Sequence, residues 1–191
     1  GVKGASLVRL GDDSVSARPT LTINGGTFTQ DNFAAIKVDR GTLHFKGGTV
    51  NGNVASVNYD SAPGKQARIF ITGGYVTGNY SGLAGGGIYA GFFGHNVRFS
   101  MSGGTIAGNC AELGEGGGLR IAGGTNGVIQ STNKVYFTYN ITNSNNDLGG
   151  GGIFVQEKGN LSIMNALITG NTAGGFGGGV GACPTGETLI V

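Results

Sequence analysis

The sequence predicts an all-β fold, a parallel β-solenoid of about six coils with three short strands in each coil. A template of alternating apolar residues, two small residues and a further apolar position recurs along the chain. No stretch shows the 3.6-residue periodicity of an amphipathic helix. The clear copies are LTINGGTFTQD from Leu21, LHFKGGTVNGN from Leu43, IFITGGYVTGN from Ile69, FSMSGGTIAGN from Phe99 and LSIMNALITGN from Leu161.

A sixth copy, VYFTYNITNSN from Val135, fits the template when one residue before Ile141 is dropped. After each copy comes a further short stretch with two-residue alternation, such as AIKV from Ala35, GGIYA from Gly86 and GGIFV from Gly151. Because a single coil buries too little apolar surface to offset its loss of conformational entropy, the apolar positions are predicted to stack inward on those of the next coil.

Glycine accounts for 42 of the 191 residues, without the regular period of a collagen helix. Glycine accepts positive φ and close backbone approach, so the paired glycines are predicted to form corners between strands. The corner glycines are Gly25, Gly47, Gly73 and Gly103. Asparagine tolerates left-handed backbone and hydrogen-bonds its own turn, and asparagines stacked from coil to coil are expected to form an amide ladder. The asparagines in equivalent turns are Asn53, Asn79, Asn109 and Asn171.

The repeats are predicted to occupy residues 21–182. Residues 1–20 are expected to form a preceding coil or cap, and residues 183–191 a strand of a truncated coil or a contact with another chain. The chain starts without methionine and has no apolar run of about 18 residues, so a processed or excised part of a larger protein without a membrane span is expected. Cys110 and Cys183 are too few for a disulfide framework and are interpreted as structural thiols.

Composition and charge disfavour a nucleic-acid-binding protein. Only 12% of the residues are charged, the net charge is +2, and lysine and arginine are scattered rather than clustered. No cofactor or metal site is expected, because His44 and His95 lie far apart and neither has a partner at the spacing of a catalytic triad or a metal site.

The GGGI segments at residues 85–88 and 150–153, with FTYN at 137–140, look like the GGAI and FxxN signatures of polymorphic outer-membrane protein passenger repeats. Over about Leu21 to Ala182 the chain resembles the right-handed parallel β-helix repeats of bacterial surface proteins, in the broad pectate-lyase-like superfold. The resemblance implies a right-handed coil and an extracellular, often adhesive and stalk-like role.

Two sets of residues are candidates for ligand binding. Arg68, Arg98 and Lys134 each precede an inward apolar residue and are predicted to stack as a basic stripe, suited to an acidic polysaccharide or another anion, although solvated side chains that splay apart are the plainer interpretation. Tyr89 and Phe154 are predicted to point outward from the last strand of their coils, where aromatic rings stack on sugars or mark a partner interface.

Glu112, Glu115 and Asp147 are predicted to gather at the opposite edge of adjacent coils. Two carboxylates at a defined separation are required for glycoside hydrolysis, and carboxylates also bind cations. A solvated acidic rim is the plainer interpretation of the same residues.

The function we expect from the sequence is a structural or adhesive module, at the cell surface or outside the cell, that binds glycans or other surface partners through outward columns and edge loops. Two alternatives stay open. One is a fragment of a carbohydrate-active enzyme, a polysaccharide lyase or glycoside hydrolase. The other is a filament subunit that stacks end to end.

Overall fold

The computed structural model of the chain describes residues 6–11, 17–31, 34–52, 54–56, 67–91, 97–145, 149–183 and 186–190. These residues form an all-β parallel solenoid of about five turns, close to the predicted number of coils. They contain no helix, and therefore none long and apolar enough to cross a membrane. The predicted fold class is confirmed.

Three parallel sheets form the walls of the solenoid. Sheet A contains β1 (Val8–Leu10), β4 (Ile36–Val38), β7 (Val54–Ser56), β10 (Ile88–Ala90), β13 (Leu119–Ile121), β16 (Ile153–Val155) and β19 (Val180–Ala182). Sheet B contains β2 (Thr20–Ile23), β3 (Thr27–Thr29), β5 (Thr42–Phe45), β6 (Thr49–Asn51), β8 (Ala67–Thr77), β11 (Val97–Ala107), β14 (Asn126–Thr138), β17 (Asn160–Thr169) and β20 (Glu187–Ile190). Sheet C contains β9 (Tyr80–Ser81), β12 (Cys110–Ala111), β15 (Ile141–Thr142) and β18 (Thr172–Ala173).

The core runs along the solenoid axis between these sheets. Inward residues of successive coils pair in register, so that Phe45, Ile71 and Met101 form one continuous column. All of them are buried, as are Ile36 and Ile88 on sheet A. Each inward side chain therefore packs on the coil before it and the coil after it, which a single coil could not provide.

The glycine pairs at residues 25–26 and 47–48 lie between strands, as predicted, whereas those at 73–74 and 103–104 lie within strands β8 and β11 of sheet B. β8 and β11 run through the glycine pairs as β-bulges, with register shifts on both sides of Gly103. Gly104 has the positive φ, 102°, whereas a Cβ on Gly103 would approach the carbonyl oxygen of Thr72 to 2.5 Å. Gly47 and Gly73 have the same close approach to the preceding coil, and Gly25 has nothing within 4 Å. In β8 and β11 the predicted corner is thus a bulge, in which the second glycine has positive φ and the first allows close approach of the preceding coil.

The predicted amide ladder is present. The Nδ2 group of Asn79 donates to Oδ1 of Asn109 at 2.6 Å, Asn109 donates likewise to Asn140 at 2.8 Å, and Asn140 to Asn171 at 2.9 Å. Asn140 belongs to this set and was missing from the predicted turn residues, while Asn53 lies outside the described residues. The ladder asparagines do not have the left-handed backbone that was predicted for them. Instead, the residue before each asparagine has a positive φ, and these residues are Gly78, Gly108, Tyr139 and Gly170.

The predicted alignment of the sixth copy with the repeat template was wrong. Val135 was predicted to start a first strand, but it pairs with Ala166 in the second half of the sheet B strand, after a bulge that follows Gln130. The first half of this strand is Asn126 to Gln130. At the chain ends, β1 pairs with β4 and β20 pairs with β17, so both segments add a strand to the solenoid.

Candidate functional site

Two arginines stack on the outward surface of sheet B. Arg68 and Arg98 are in register on neighbouring strands, in a column that begins with Thr20 and Thr42 and continues through Asn126. They alternate with buried residues, which turns both guanidinium groups to the outside of the solenoid. Neighbouring strands lie about 4.8 Å apart, so the two like charges are close and favour an anion between or above them.

A pair of stacked rings lies in the next outward column. His44 and Phe70 are in register, with ring centroids 5.2 Å apart and an interplanar angle of 26°. The column continues through Ser100 and Val128. Since outward residues of one strand are two positions apart, the rings lie roughly 7 Å along the strands from the arginine column. Rings and guanidinium groups therefore share one surface.

Lys46 adds a third cation to this surface. It follows His44 on the outward side, is exposed, and donates its backbone N–H to the carbonyl oxygen of Ile23. We call the surface formed by His44, Lys46, Arg68, Phe70 and Arg98 the arginine–aromatic face. It combines same-sign charge with flat aromatic rings, an arrangement suited to an anionic ligand with an apolar flat side.

The alternation around His44 and Phe70 was sufficient to predict their outward position, because each lies between two inward apolar residues. Sequence reasoning did not connect His44 to Phe70 or Lys46. The register between the two strands was the missing information.

Lys134 does not belong to the arginine column, contrary to the prediction. The residues in register beyond Arg98 are Asn126 and then Asn160. Lys134 is exposed and lies in the bulged segment between Gln130 and Val135. Lys134 was misplaced because the sixth copy was misaligned with the repeat template. The predicted stripe therefore contains two cations in register and not three.

Phe154 is not an outward platform on an open surface. Tyr89, Arg120 and Phe154 form one column of sheet A, but Arg120 is 4% and Phe154 only 2% exposed. Glycine-rich segments pass over this side of the sheet: a Cβ on Gly116 would lie 3.0 Å from the Arg120 backbone, and one on Gly150 would lie 2.7 Å from Phe154 Cβ. A ligand cannot reach Phe154 without displacing that covering segment.

A buried polar cluster fills the centre of the same column. The Arg120 guanidinium lies over the Tyr89 ring, 4.7 Å from its centroid. Its Nε donates to Glu115 Oε1 at 2.6 Å, and one terminal nitrogen donates to Gln156 Oε1 at 2.5 Å. Burial raises the pKa of Tyr89, partly offset by the Arg120 charge and increased by Glu115. Tyr89 and Arg120 therefore join successive coils instead of presenting a binding surface.

The predicted acidic rim separates into unrelated parts. Glu115 is 6% exposed and forms the ion pair with Arg120. Glu112 accepts a hydrogen bond from Asn143 Nδ2 at 2.7 Å, next to Tyr80 and Cys110 on sheet C. Asp147 lies outside the described residues. The two described carboxylates thus have different partners.

In the described part of the chain, no three histidine, cysteine or acidic side chains come together as a metal site. Cys110 and Cys183 are both free thiols and partly exposed. Local desolvation, with a smaller effect of Glu112, raises the pKa of Cys110.

No family model, no curated protein and no solved structure matches the chain. The fold therefore rests on its own strand pairing, and the arginine–aromatic face and the buried Arg120 cluster rest on side-chain geometry. By these criteria the chain is an all-β parallel solenoid repeat protein.

Proposed function

We propose that the chain is an adhesive β-solenoid module of an extracellular or cell-surface protein, and that its arginine–aromatic face binds acidic glycans. The observation that carries the proposal is the register of Arg68 with Arg98 beside the stacked rings of His44 and Phe70. The resemblance of the repeats to right-handed β-helices of bacterial surface proteins supports the location and the role.

The chemistry of such a ligand matches the face. Carboxylate or sulfate groups accept charge-assisted hydrogen bonds from arginine, and the apolar side of a sugar ring packs on an aromatic side chain. The cations follow the solenoid axis, so an extended polysaccharide lying along that axis meets several of them at once. Binding of this kind weakens as salt screens the charges.

The enzyme alternative has less support. A glycosidase positions two carboxyl groups roughly 5–9.5 Å apart around the scissile bond. Glu115 is committed to Arg120 and Glu112 to Asn143, and neither carboxylate lies on the arginine–aromatic face. We therefore favour binding without catalysis.

End-to-end association is a second candidate, favoured by the exposure of Leu189 (59%) and Ile190 (62%) on β20. Either a further coil of a longer chain or a second copy would bury these side chains. Light scattering over a range of concentrations tests the second copy, and a constant monomer mass would contradict it.

The binding proposal is tested by titrating the chain with polygalacturonate and with a neutral glucan at two salt concentrations. Arg98→Ala is expected to weaken polygalacturonate binding about tenfold, since a charge-assisted hydrogen bond is lost. Lys134→Ala is the matched control, because it removes an exposed cation outside the column and should leave binding unchanged. Equal losses in the two variants would point to net charge alone, and no binding by the unmodified chain would contradict the proposal.

A further inference from the structure

Sheet C has an open edge in the middle of the solenoid. Its strand order is β18-β15-β12-β9, so within the described residues β9 pairs with β12 on one side and with no strand on the other. A groove of about 470 Å³ lies on that other side. The described groove residues are Thr29, Gln30, Asp31, Ala34, Asn51, Gly52, Gly78, Asn79, Tyr80, Ser81 and Gly82.

The hydrogen-bond pattern of the sheet indicates which backbone groups face this groove. Cys110 and Glu112 donate their N–H groups to the preceding strand, to the carbonyl oxygens of Asn79 at 2.8 Å and Ser81 at 2.9 Å. The next strand repeats this pattern, with Ile141 donating to Asn109 and Asn143 to Ala111.

The equivalent residues one coil earlier are Tyr80, which pairs with Cys110 in β9, and Gly82, which directly follows β9. Because backbone groups alternate between the two sides of a parallel strand, the N–H and C=O groups of Tyr80 and Gly82 point into the groove. These groups are arranged to pair with an extended segment whose carbonyl oxygens are two residues apart.

The charge of the groove selects the kind of segment. Asp31 is exposed and is the one charged residue among the described groove residues. Glu112 lies next to Tyr80, but on the β12 side of β9 and outside the groove lining. Tyr80 is 65% and Leu83 71% exposed, so apolar contacts are available at the rim. The surroundings favour a segment with both basic and apolar side chains.

We propose that the sheet C groove binds an extended, basic peptide segment of a partner protein by strand addition to β9. The segment supplies two carbonyl oxygens to the N–H groups of Tyr80 and Gly82, places an apolar side chain on Tyr80 and Leu83, and places a basic side chain near Asp31. This mode gives affinity through the main chain and selectivity through alternate side chains. It is independent of the arginine–aromatic face, which lies on sheet B and has the opposite charge.

The experiment uses the whole chain and a fluorescent probe, the blocked peptide Val-Lys-Val-Lys-Val, in anisotropy titrations. Two further probes carry N-methyl groups on one or the other alternate set of amides. Only one edge of the peptide strand can pair with β9. The probe methylated on the other edge is therefore expected to bind as the parent does, and the probe methylated on the pairing edge to lose about tenfold or more in affinity. A probe with Glu in place of Lys is expected to bind more weakly than the parent.

Gly82→Pro removes one of the two proposed donors, and Gly82→Ala is its matched control, because a Cβ at Gly82 would meet nothing within 4 Å. The proline variant is expected to lose about tenfold in affinity and the alanine variant to bind as the unmodified chain does. Amide chemical shifts of Tyr80 and Gly82 in the unmodified chain give a readout that does not depend on folding of the proline variant, and both should move on peptide addition.

Three results would overturn the proposal: no peptide binding up to millimolar concentration, equal affinity of the two methylated probes, or unchanged amide shifts at Tyr80 and Gly82. Arg98→Ala separates this site from the glycan site, since it should weaken polygalacturonate binding and leave peptide affinity unchanged.

Discussion

Asn109 and Asn140 are joined twice across neighbouring coils: the side-chain Nδ2 of Asn109 and its backbone N–H both donate to Oδ1 of Asn140, at 2.8 and 3.1 Å. Asn140 is completely buried and donates its own Nδ2 to the carbonyl oxygen of Ile106 at 2.9 Å. One amide therefore satisfies three polar groups of the preceding coil, and its Nδ2 also donates to Asn171 of the next coil, which explains why asparagine recurs at this position.

We expect Asn140→Ala to lower the free energy of unfolding by about 2–4 kcal/mol, because two donors of Asn109 and the carbonyl of Ile106 lose their partner away from water. Urea denaturation measures the change. Asn143→Ala is the control, since Asn143 is exposed and its loss should cost less than about 0.5 kcal/mol. Similar losses in the two variants would show that the ladder adds nothing to stability.

Arg120→Ala should destabilise the fold by about 3–5 kcal/mol, because it leaves the Glu115 carboxylate buried without its partner. The double substitution Glu115→Leu with Arg120→Met removes both charges and is expected to recover most of that loss. Thermal and urea unfolding of the single and double variants check this. If the double variant is no more stable than the single one, the unpaired charge is not the cause.

Gly150 tolerates no side chain. Its φ is 70°, and a Cβ would lie 2.7 Å from the Cβ of Phe154, so Gly150→Ala combines an unfavourable backbone with a clash and should cost more than about 3 kcal/mol. Gly78 has nearly the same φ, 65°, but open space around it, so Gly78→Ala should cost only about 1–2 kcal/mol. Equal losses in unfolding experiments would mean that the segment over Phe154 moves away at little cost.

Phe70→Ala should weaken polygalacturonate binding about 3–10-fold, because the ring stacked on His44 no longer supports a sugar face. Tyr75→Ala, on the same strand and 55% exposed, removes an aromatic ring outside the arginine–aromatic face and should leave affinity unchanged. Calorimetric titration measures the affinity of both variants for polygalacturonate. A loss of affinity confined to Tyr75→Ala would place the glycan elsewhere on sheet B.

Cys110 should react slowly with iodoacetamide near neutral pH. Desolvation first and the Glu112 carboxylate second raise the pKa of this thiol, so the reactive thiolate forms at higher pH than in an unperturbed cysteine. In Glu112→Gln the charge is gone and the midpoint of the rate against pH should move down. Glu157→Gln, at an exposed position elsewhere, is the control and should leave the midpoint unchanged.

Alternation predicted the interior well where a template copy was regular. Leu43 and Phe45 have polar neighbours in sequence, and both are buried as predicted. The prediction failed in β14, where Gly127 takes an inward position that other coils fill with a large side chain. Because position 127 has no apolar side chain, the apolar residues Val135 and Phe137 were wrongly predicted to begin the strand.

Burial of Arg120 and Phe154 could not be predicted from alternation, which tells only that a residue points away from the core. The segments around Gly116 and Gly150 cover them from the other side, and glycine itself gives no sign of what it packs against. The open edge of β9 was equally hidden, because it depends on the absence of a sheet C strand from the preceding described coils.

The direction of the ladder bonds determines how the molecule responds to pulling. β1 and β20 lie at opposite ends of the stack, and the bonds between coils run along the line that joins those ends. A force along that line loads the interfaces in series, so they should open one after another from an end. A coil has between 22 residues, from Thr20 to its partner Thr42, and 34 residues, from Asn126 to Asn160, so each opened coil would release roughly 70–110 Å of chain. A solenoid built this way lengthens in steps under load while the remaining coils stay folded, so each step limits the force that is transmitted along the stack.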